Sequence, residues 1–300
     1  MSVLNNKKLK GVYLPPGDKS ISHRIIILGS QAVGKSSVTN LLESEDVLNT
    51  VKVMRQLGSN IKKIDGKYII FGLPPGTLFE PKKELNFGNS GTSIRLITGL
   101  LSTNNIKTKL VGDKSLSSRP MKRVTEHLKR IGAVFILKKN NFLPMTIKGS
   151  ANPIPLNYEI SIPSAQIKSA VMLSALNTLG KVTIKEFSST RDHTERMLKT
   201  MNYNILFKEK KEFRYITMSS DKELNSLNYK VAGDPSSAAF MITAASLKIG
   251  SKIKVKNMLY NPTRIGFLLT LKRMGANIEI KNKRIVHNEV IADIFVHQKK

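Results

Sequence analysis

Cysteine and tryptophan are absent from this 300-residue chain, aromatic residues make up only 6% of it, and 21 acidic side chains stand against 49 basic ones. Each shortage closes off a class of protein. Without cysteine there is no disulfide framework, no thiolate zinc site and no thiol nucleophile. Long apolar runs are missing too: Ile25 to Leu28 falls far short of the ~20 residues that a membrane-spanning helix needs. The N-terminus, Met1 to Lys10, is polar and has neither the apolar centre of a signal peptide nor the Arg- and Ser-rich make-up of a transit segment. These features predict a soluble, cytoplasmic protein without a membrane partner.

What is present suffices for a folded protein. With 40% hydrophobic residues the chain can bury a core, and its length points to two domains of ordinary size. The formal charge of +28 attracts polyanions and anionic small molecules alike. The lysines, however, are spread among Asn and Ile, as at Lys62-Lys63, Lys138-Lys139 and Lys281. No aromatic-interleaved basic stripe, helix-turn-helix, zinc-finger or RNP pattern accompanies them, so no nucleic-acid partner is expected.

Internal self-similarity is the strongest signal. Four segments share a helix end, a Gly or Asn, and an apolar strand: Met54 to Ile61, Leu128 to Val134, Leu198 to Ile205 and Leu271 to Ile278. Their punctuating residues are Gly58, Gly132, Asn202 and Gly275, at intervals of 74, 70 and 73 residues. Gly or Asn at these points suits a left-handed C-terminal helix cap. Start signals precede each helix at Ser44-Glu45-Asp46, Ser118-Arg119-Pro120, Thr190-Arg191-Asp192 and Asn261-Pro262-Thr263. A second helical stretch falls in the period, as in Thr92 to Leu101, Ala165 to Leu176 and Ser236 to Leu247, and strands are predicted at Tyr68 to Phe71, Lys181 to Ile184 and Lys252 to Val255. The period exceeds that of ordinary solenoid repeats, and predicts a repeated α/β unit within globular domains.

Three clusters combine small residues, hydroxyls and a cation where a loop opens into a helix: Gly17 to Arg24, Gly88 to Arg95 and Pro163 to Ser169. Free backbone N–H groups and the helix dipole favour an anion there, Lys adds a point charge and Arg a bidentate fork. Three such clusters favour one polyanionic ligand. A rival pattern is Gly29 to Ser36, which matches the phosphate-loop sequence G-x-x-x-x-G-K-S between apolar runs at Ile25 to Leu28 and Val38 to Leu42. It implies a nucleotide-binding protein, but no strand ending in a magnesium-binding Asp follows at a useful distance; Asp293 is the nearest candidate. His23 and His193 read as motif or surface residues, and no metal is expected.

Gly17 to Arg24, Gly88 to Arg95, Gly112 to Met121, Pro163 to Ala170, Arg191 to Met197 and Gly233 to Phe240, taken in order, resemble the 3-phosphoshikimate 1-carboxyvinyltransferase family, the 5-enolpyruvylshikimate-3-phosphate synthases. Ser164-Ala165-Gln166 and the Arg-Asp-His-Thr-Glu segment are similar to its bacterial branch noted for glyphosate-tolerant members. The resemblance implies transfer of the enolpyruvyl group of phosphoenolpyruvate to the 5-hydroxyl of shikimate 3-phosphate, without a cofactor, by a cytoplasmic enzyme that is monomeric at full length. It also implies the roles. Lys19 would lie between both substrates and support proton transfer, Ser20 and Arg24 would hold shikimate 3-phosphate, and Ser164, Ala165 and Gln166 would close around that ligand. Asn89, Gly91 and Arg119 would bind phosphoenolpyruvate, with Gln166 touching both. Gly91 lacks the Cβ that some tolerant members place against glyphosate, so a glyphosate-sensitive site is expected.

The implied fold is a two-lobed, inside-out α/β barrel of βαβαββ repeats, three to a lobe. Against six expected units the sequence shows four. Residues 20–230 would supply one complete lobe, binding shikimate 3-phosphate, and residues 1–19 with 231–300 an incomplete second lobe. The family's catalytic Asp and two Arg-bearing segments are expected beyond residue 300, which predicts impaired turnover by this chain alone, a catalytically inactive shikimate 3-phosphate-binding fragment as the alternative, and a complementing C-terminal fragment as a partner. A sister enolpyruvyl transferase acting on a nucleotide sugar is disfavoured, because that family commonly uses a Cys near its reacting centre.

Overall fold

A computed structural model describes residues 8–138, 141–187 and 190–298. Of the sequence features above, Met1 to Lys7 and Lys139 lie outside the described residues. The chain runs β1 (Lys10–Tyr13), α1 (Lys19–Gly29), β2 (Ala32–Val33), β3 (Lys35–Thr39), α2 (Glu45–Gln56), β4 (Asn60–Ile64) and β5 (Lys67–Phe71). Then come β6 (Leu85–Asn86), α3 (Gly91–Leu101), β7 (Lys107–Val111), α4 (Lys114–Ser117), α5 (Lys122–Lys129), β8 (Val134–Lys138) and β9 (Phe142–Lys148). The next stretch holds β10 (Asn157–Ile160), α6 (Ala165–Ala175), β11 (Lys181–Glu186), α7 (His193–Thr200), β12 (Ile205–Lys210) and β13 (Phe213–Ser219). Last are β14 (Leu224–Asn225), β15 (Asn228–Lys230), α8 (Pro235–Leu247), β16 (Lys252–Leu259), α9 (Gly266–Arg273), β17 (Ile278–Val286) and β18 (Glu289–His297).

Four sheets repeat one strand order: β15-β3-β5-β4, β6-β7-β9-β8, β10-β11-β13-β12 and β1-β16-β18-β17. In the last three the leading strand runs parallel to its neighbour and an antiparallel hairpin completes the sheet; in the second and third of the four sheets one helix, α3 or α6, lies between those two strands in the chain. This is the βαβαββ unit of the sequence period. Two leading strands come from elsewhere in the chain: β15 heads the sheet of β3, and β1 heads that of β16. The caps follow the repeat. Gly58, Gly132, Asn202 and Gly275 all have positive φ, at 102°, 100°, 57° and 93°.

Helix starts depart from expectation in two units. Helix α5 begins after Met121 and α9 after Ile265, each later than its Ser118 or Asn261 signal. The reason is local. Arg119 closes the turn after the short α4 by donating its backbone N–H to Leu116, and the Asn261 side chain accepts from both the N–H and the hydroxyl of Thr263. The phosphate-loop reading of Gly29 to Ser36 fails outright. Ile25 to Leu28 lies in a helix and Lys35–Thr39 is a strand paired antiparallel with β5, the reverse of strand, loop and helix. Ser36, which would hold magnesium, is buried and accepts the N–H of Leu227 at 3.2 Å.

Contacts divide the chain into two units. One comprises residues up to Ile21, Asn40–Leu42 and residues from Lys230 onward; the other comprises Ser22–Thr39 and Glu43–Tyr229. In the larger unit the apolar helices form the core: α3 and α6 pack together with almost every residue buried, and a Cβ on Gly99 would lie 2.1 Å from the Ala170 carbonyl oxygen, so only glycine permits the approach. In the smaller unit Ala238, Ile242 and Ala245 of α8 join Ile253, Val255, Leu268 and Ile294 in one cluster. Helix α8 is apolar on all sides, yet Phe240 and Leu247 are each 78% exposed. An all-apolar helix ordinarily sits inside a core.

Candidate functional site

The first motif starts α1 in the smaller unit. Asp18 is fully buried, and its Oδ1 accepts the Ile21 N–H at 2.9 Å, satisfying one of the helix's open donors. Asp234 does the same for α8 through the Ser236 N–H at 2.7 Å, and its other oxygen accepts the Lys19 N–H at 3.3 Å. Arg264 bridges the two caps, Nη1 to Asp18 at 2.6 Å and Nη2 to Asp234 at 3.1 Å. Two helix N-termini are thus tied by one buried guanidinium. Lys19 is left exposed and Ser20 half-buried at the head of α1.

The second and third motifs meet in the larger unit. Ser90 caps α3 by accepting the Ser93 N–H, and Ser164 caps α6 by accepting the Ile167 N–H, so both hydroxyls belong to helix starts. Arg119 donates to Asn89 Oδ1 at 2.6 Å and to Ser115 Oγ at 3.1 Å. Arg95 donates from Nη1 to the Gly91 carbonyl at 3.0 Å and to Gln166 Oε1 at 3.2 Å, while Gln166 Nε2 donates to Thr92 Oγ1 at 3.0 Å. Gly91 lies between the two guanidinium groups: a Cβ there would stand 2.9 Å from Arg95 Nη1 and 3.1 Å from Arg119 Nη1. Burial, with the like charges of Arg119 and Arg123, pushes the Arg95 pKa down. Like-charged guanidinium groups gathered over two helix N-termini, with amide and hydroxyl groups between them, make a candidate receptor for a small polyanion.

Arg24, on α1 within the larger unit, is only 3% exposed. Its Nε donates to Thr194 Oγ1 at 2.7 Å and its Nη2 to Ser169 Oγ at 2.9 Å. Beside it Lys168, wholly buried, is paired with Glu186 at 3.0 Å and Glu195 at 2.7 Å.

Asn89, Gly91, Arg119 and Gln166 are therefore brought together, with Ser164 and Ala165 on the turn that carries Gln166, and Arg24 reaches Ser169 on the same helix α6. Lys19 and Ser20 belong to the other unit. The resemblance gives no individual role to Arg95 or Thr92, although both belong to the Gly88 to Arg95 cluster read as an anion site. Thr92 lies one residue and Arg95 four residues beyond Gly91, the latter spacing keeping an arginine over the first turn of a helix. His23 and His193 are both buried rather than at the surface. Among the described residues no cluster of His, Asp and Glu could hold a metal ion, and no helix is long and apolar enough to cross a membrane.

Residues 3–297 match the family model described as EPSP synthase (3-phosphoshikimate 1-carboxyvinyltransferase). A 3-phosphoshikimate 1-carboxyvinyltransferase of Ruegeria sp. (strain TM1040) is 45% identical over 95% of this chain and 64% of its own length. That of Brucella abortus biovar 1 (strain 9-941) is 42% identical over 99% of this chain and 66% of its own. A 2.37 Å structure of EPSP synthase from Acinetobacter baumannii superposes with a TM-score of 0.89 at 37% identity, over 98% of this chain and 66% of that one. The chain thus spans a little under two thirds of the length of these relatives. A fourfold βαβαββ architecture, anion-receiving helix starts and matches along nearly the whole chain lead to one assignment: it belongs to the EPSP synthase family.

Proposed function

We propose that the chain takes part in transfer of the enolpyruvyl group of phosphoenolpyruvate to the 5-hydroxyl of shikimate 3-phosphate in the cytoplasm. The larger unit is, on this reading, the shikimate 3-phosphate-binding lobe. The observation that supports it is the arginine pair across Gly91, with Asn89, Gln166 and Thr92 among its donors and partners.

Phosphoenolpyruvate brings a phosphate and a carboxylate, which Arg119 and Arg95 receive as forks. On the resemblance, Ser164, Ala165 and Gln166 close around shikimate 3-phosphate, Arg24 and Ser20 hold it, and Lys19 serves both substrates. The 5-hydroxyl loses its proton as its oxygen bonds to C2 of phosphoenolpyruvate, and the opened double bond takes up a proton at C3, giving a tetrahedral phospho-ketal. Elimination then removes a proton from C3, breaks the C2–O bond to phosphate and restores the double bond. Lys19 assists the proton transfers, and the fixed cations stabilise charge that shifts between the carboxylate, the bridging oxygen and the departing phosphate. Glyphosate competes with phosphoenolpyruvate, since Gly91 leaves room for it.

The exposed face of α8 supports a second element of the reading. A partner polypeptide presenting apolar helices covers Phe240 and Leu247, as α3 and α6 cover one another in the larger unit. The test is mass-spectrometric detection of 5-enolpyruvylshikimate 3-phosphate and released phosphate, with the chain alone and with the remaining third of a relative co-expressed. Product that disappears in Arg119→Ala supports the reading. No product under either condition, together with no uptake of shikimate 3-phosphate, overturns it.

A further inference from the structure

The Arg191 to Met197 segment carries no role in the chemistry proposed above, yet α7 places two of its consecutive residues on the substrate-facing machinery. Thr194 Oγ1 accepts from Arg24 Nε at 2.7 Å and stands 2.7 Å from Ser169 Oγ, which itself accepts from Arg24 Nη2 at 2.9 Å. The fork of Arg24 and two hydroxyls close a ring. A guanidinium has donors only, and its planar fork holds one direction when two acceptors are fixed at the matching spacing. Here the acceptors are fixed by each other.

The next residue makes the second hold. Glu195, 2% exposed, pairs with Lys168 Nζ at 2.7 Å; Lys168 also pairs with Glu186 at 3.0 Å, and Arg214 lies 3.5 Å from Glu186. Two cations and two carboxylates balance in a buried place, where an unmatched charge is strongly disfavoured. Lys168 and Ser169 are neighbours on the first turns of α6, two and three residues beyond Gln166. Turning or sliding α6 would break both the ion pair and the hydroxyl ring. Adjacent residues of α7 therefore grip adjacent residues of α6 and, through Thr194, the guanidinium of α1.

We infer that Thr194 and Glu195 are positioning residues: Thr194 sets the direction of the Arg24 fork and Glu195, through Lys168, sets the register of the Ser164–Gln166 turn, so that both meet one phosphorylated polyol. The ligand half of this inference rests on the proposed binding of shikimate 3-phosphate; the orientation of Arg24 does not. Thr194→Val keeps the shape and removes the acceptor. It is expected to weaken shikimate 3-phosphate about tenfold, the loss of one hydrogen bond to a charged group. Thr194→Ser restores the affinity. Ser174→Ala, which deletes another buried α6 hydroxyl bonded to the Val171 carbonyl at 2.8 Å, leaves it unchanged at a similar melting temperature. Glu195→Gln weakens binding as well, and should it fail to fold the threonine series still decides.

The experiment is calorimetric titration of the full chain and these variants with shikimate 3-phosphate, paired with solvent exchange of the Arg24 Nε proton by 15N NMR. Faster exchange and weaker binding in Thr194→Val, both reversed in Thr194→Ser, support the inference. Unchanged exchange in Thr194→Val overturns it, as does a loss of affinity no greater than that of Ser174→Ala. A wild-type chain that takes up no shikimate 3-phosphate while Arg24 exchange still responds to Thr194 sinks the functional reading, and with it the ligand half of the inference.

Discussion

Gly91→Ala separates stability from anion binding, because the two respond in opposite directions. Gly91 is the first residue of α3 and carries no positive φ, so alanine fits the backbone and reduces the freedom of the unfolded chain. That gain is about 0.5 kcal/mol at a helix end, the lower part of the range for glycine replacement. The new Cβ would stand 2.9 Å from Arg95 Nη1 and 3.1 Å from Arg119 Nη1. Both are ends of flexible side chains, so they yield by several tenths of an ångström and the fold survives. Arg95 Nη1 holds Gly91 O at 3.0 Å and Gln166 Oε1 at 3.2 Å, so the guanidinium keeps these bonds only by rotating its plane away from its present direction. One misaligned bond from this charged donor to phosphoenolpyruvate costs about 1.5–3 kcal/mol, or roughly ten- to hundredfold in affinity. The assay pairs a thermal melt with titration of phosphoenolpyruvate in the presence of shikimate 3-phosphate. A melting temperature equal to or slightly above wild type with weakened binding is expected. A fall in melting temperature of several degrees, or unaltered affinity, would refute the reasoning.

Other perturbations give further tests. Arg264→Gln leaves Asp18 and Asp234 buried without their shared cation, and should cost about 3–5 kcal/mol in a denaturant melt; a loss below about 1 kcal/mol would show that the caps stand without the bridge. Burial alone would raise the Asp293 pKa, but the Asn257 N–H at 3.0 Å, Asn282 at 3.0 Å and Lys254 at 3.0 Å hold it down at about 2, below the ordinary 3.8. Between those values the unfolded chain binds the extra proton, so this stabilisation is complete above pH 3.8 and is lost as pH falls through 2. Asp293→Asn should flatten that part of the acid-unfolding curve, and an unchanged slope would count against the assignment. Phe240→Ser with Leu247→Ser should reduce light scattering of the purified chain while changing stability by no more than about 0.5 kcal/mol, since both side chains are 78% exposed; equal scattering would show that α8 is not the adhesive face.

The repeat was legible because its punctuation is conformational. A residue that must take positive φ at the end of each helix is written as Gly or Asn, and Gly58, Gly132, Asn202 and Gly275 all take it. Start signals were less legible, because Ser118 and Asn261 use their groups to close turns of their own before the helices begin. Ile25 to Leu28 shows the limit of a short apolar run: periodicity alone does not tell a buried strand from a buried helix, and a phosphate-loop pattern next to it misleads. Helix-start motifs pointed to the candidate anion receptor because their residues are close in sequence. The ties that orient it are not. Arg264 meets Asp18 across 246 residues, Thr194 meets Arg24 across 170, and nothing at either end of such a pair names the other.

The most direct test of the account is calorimetric titration of the chain with shikimate 3-phosphate, followed in the same cell by phosphoenolpyruvate. The account predicts saturable uptake of the first ligand, and for the second a heat that Arg119→Ala abolishes while leaving the first intact. A folded chain that takes up neither ligand, or takes up phosphoenolpyruvate equally well without Arg119, would contradict it.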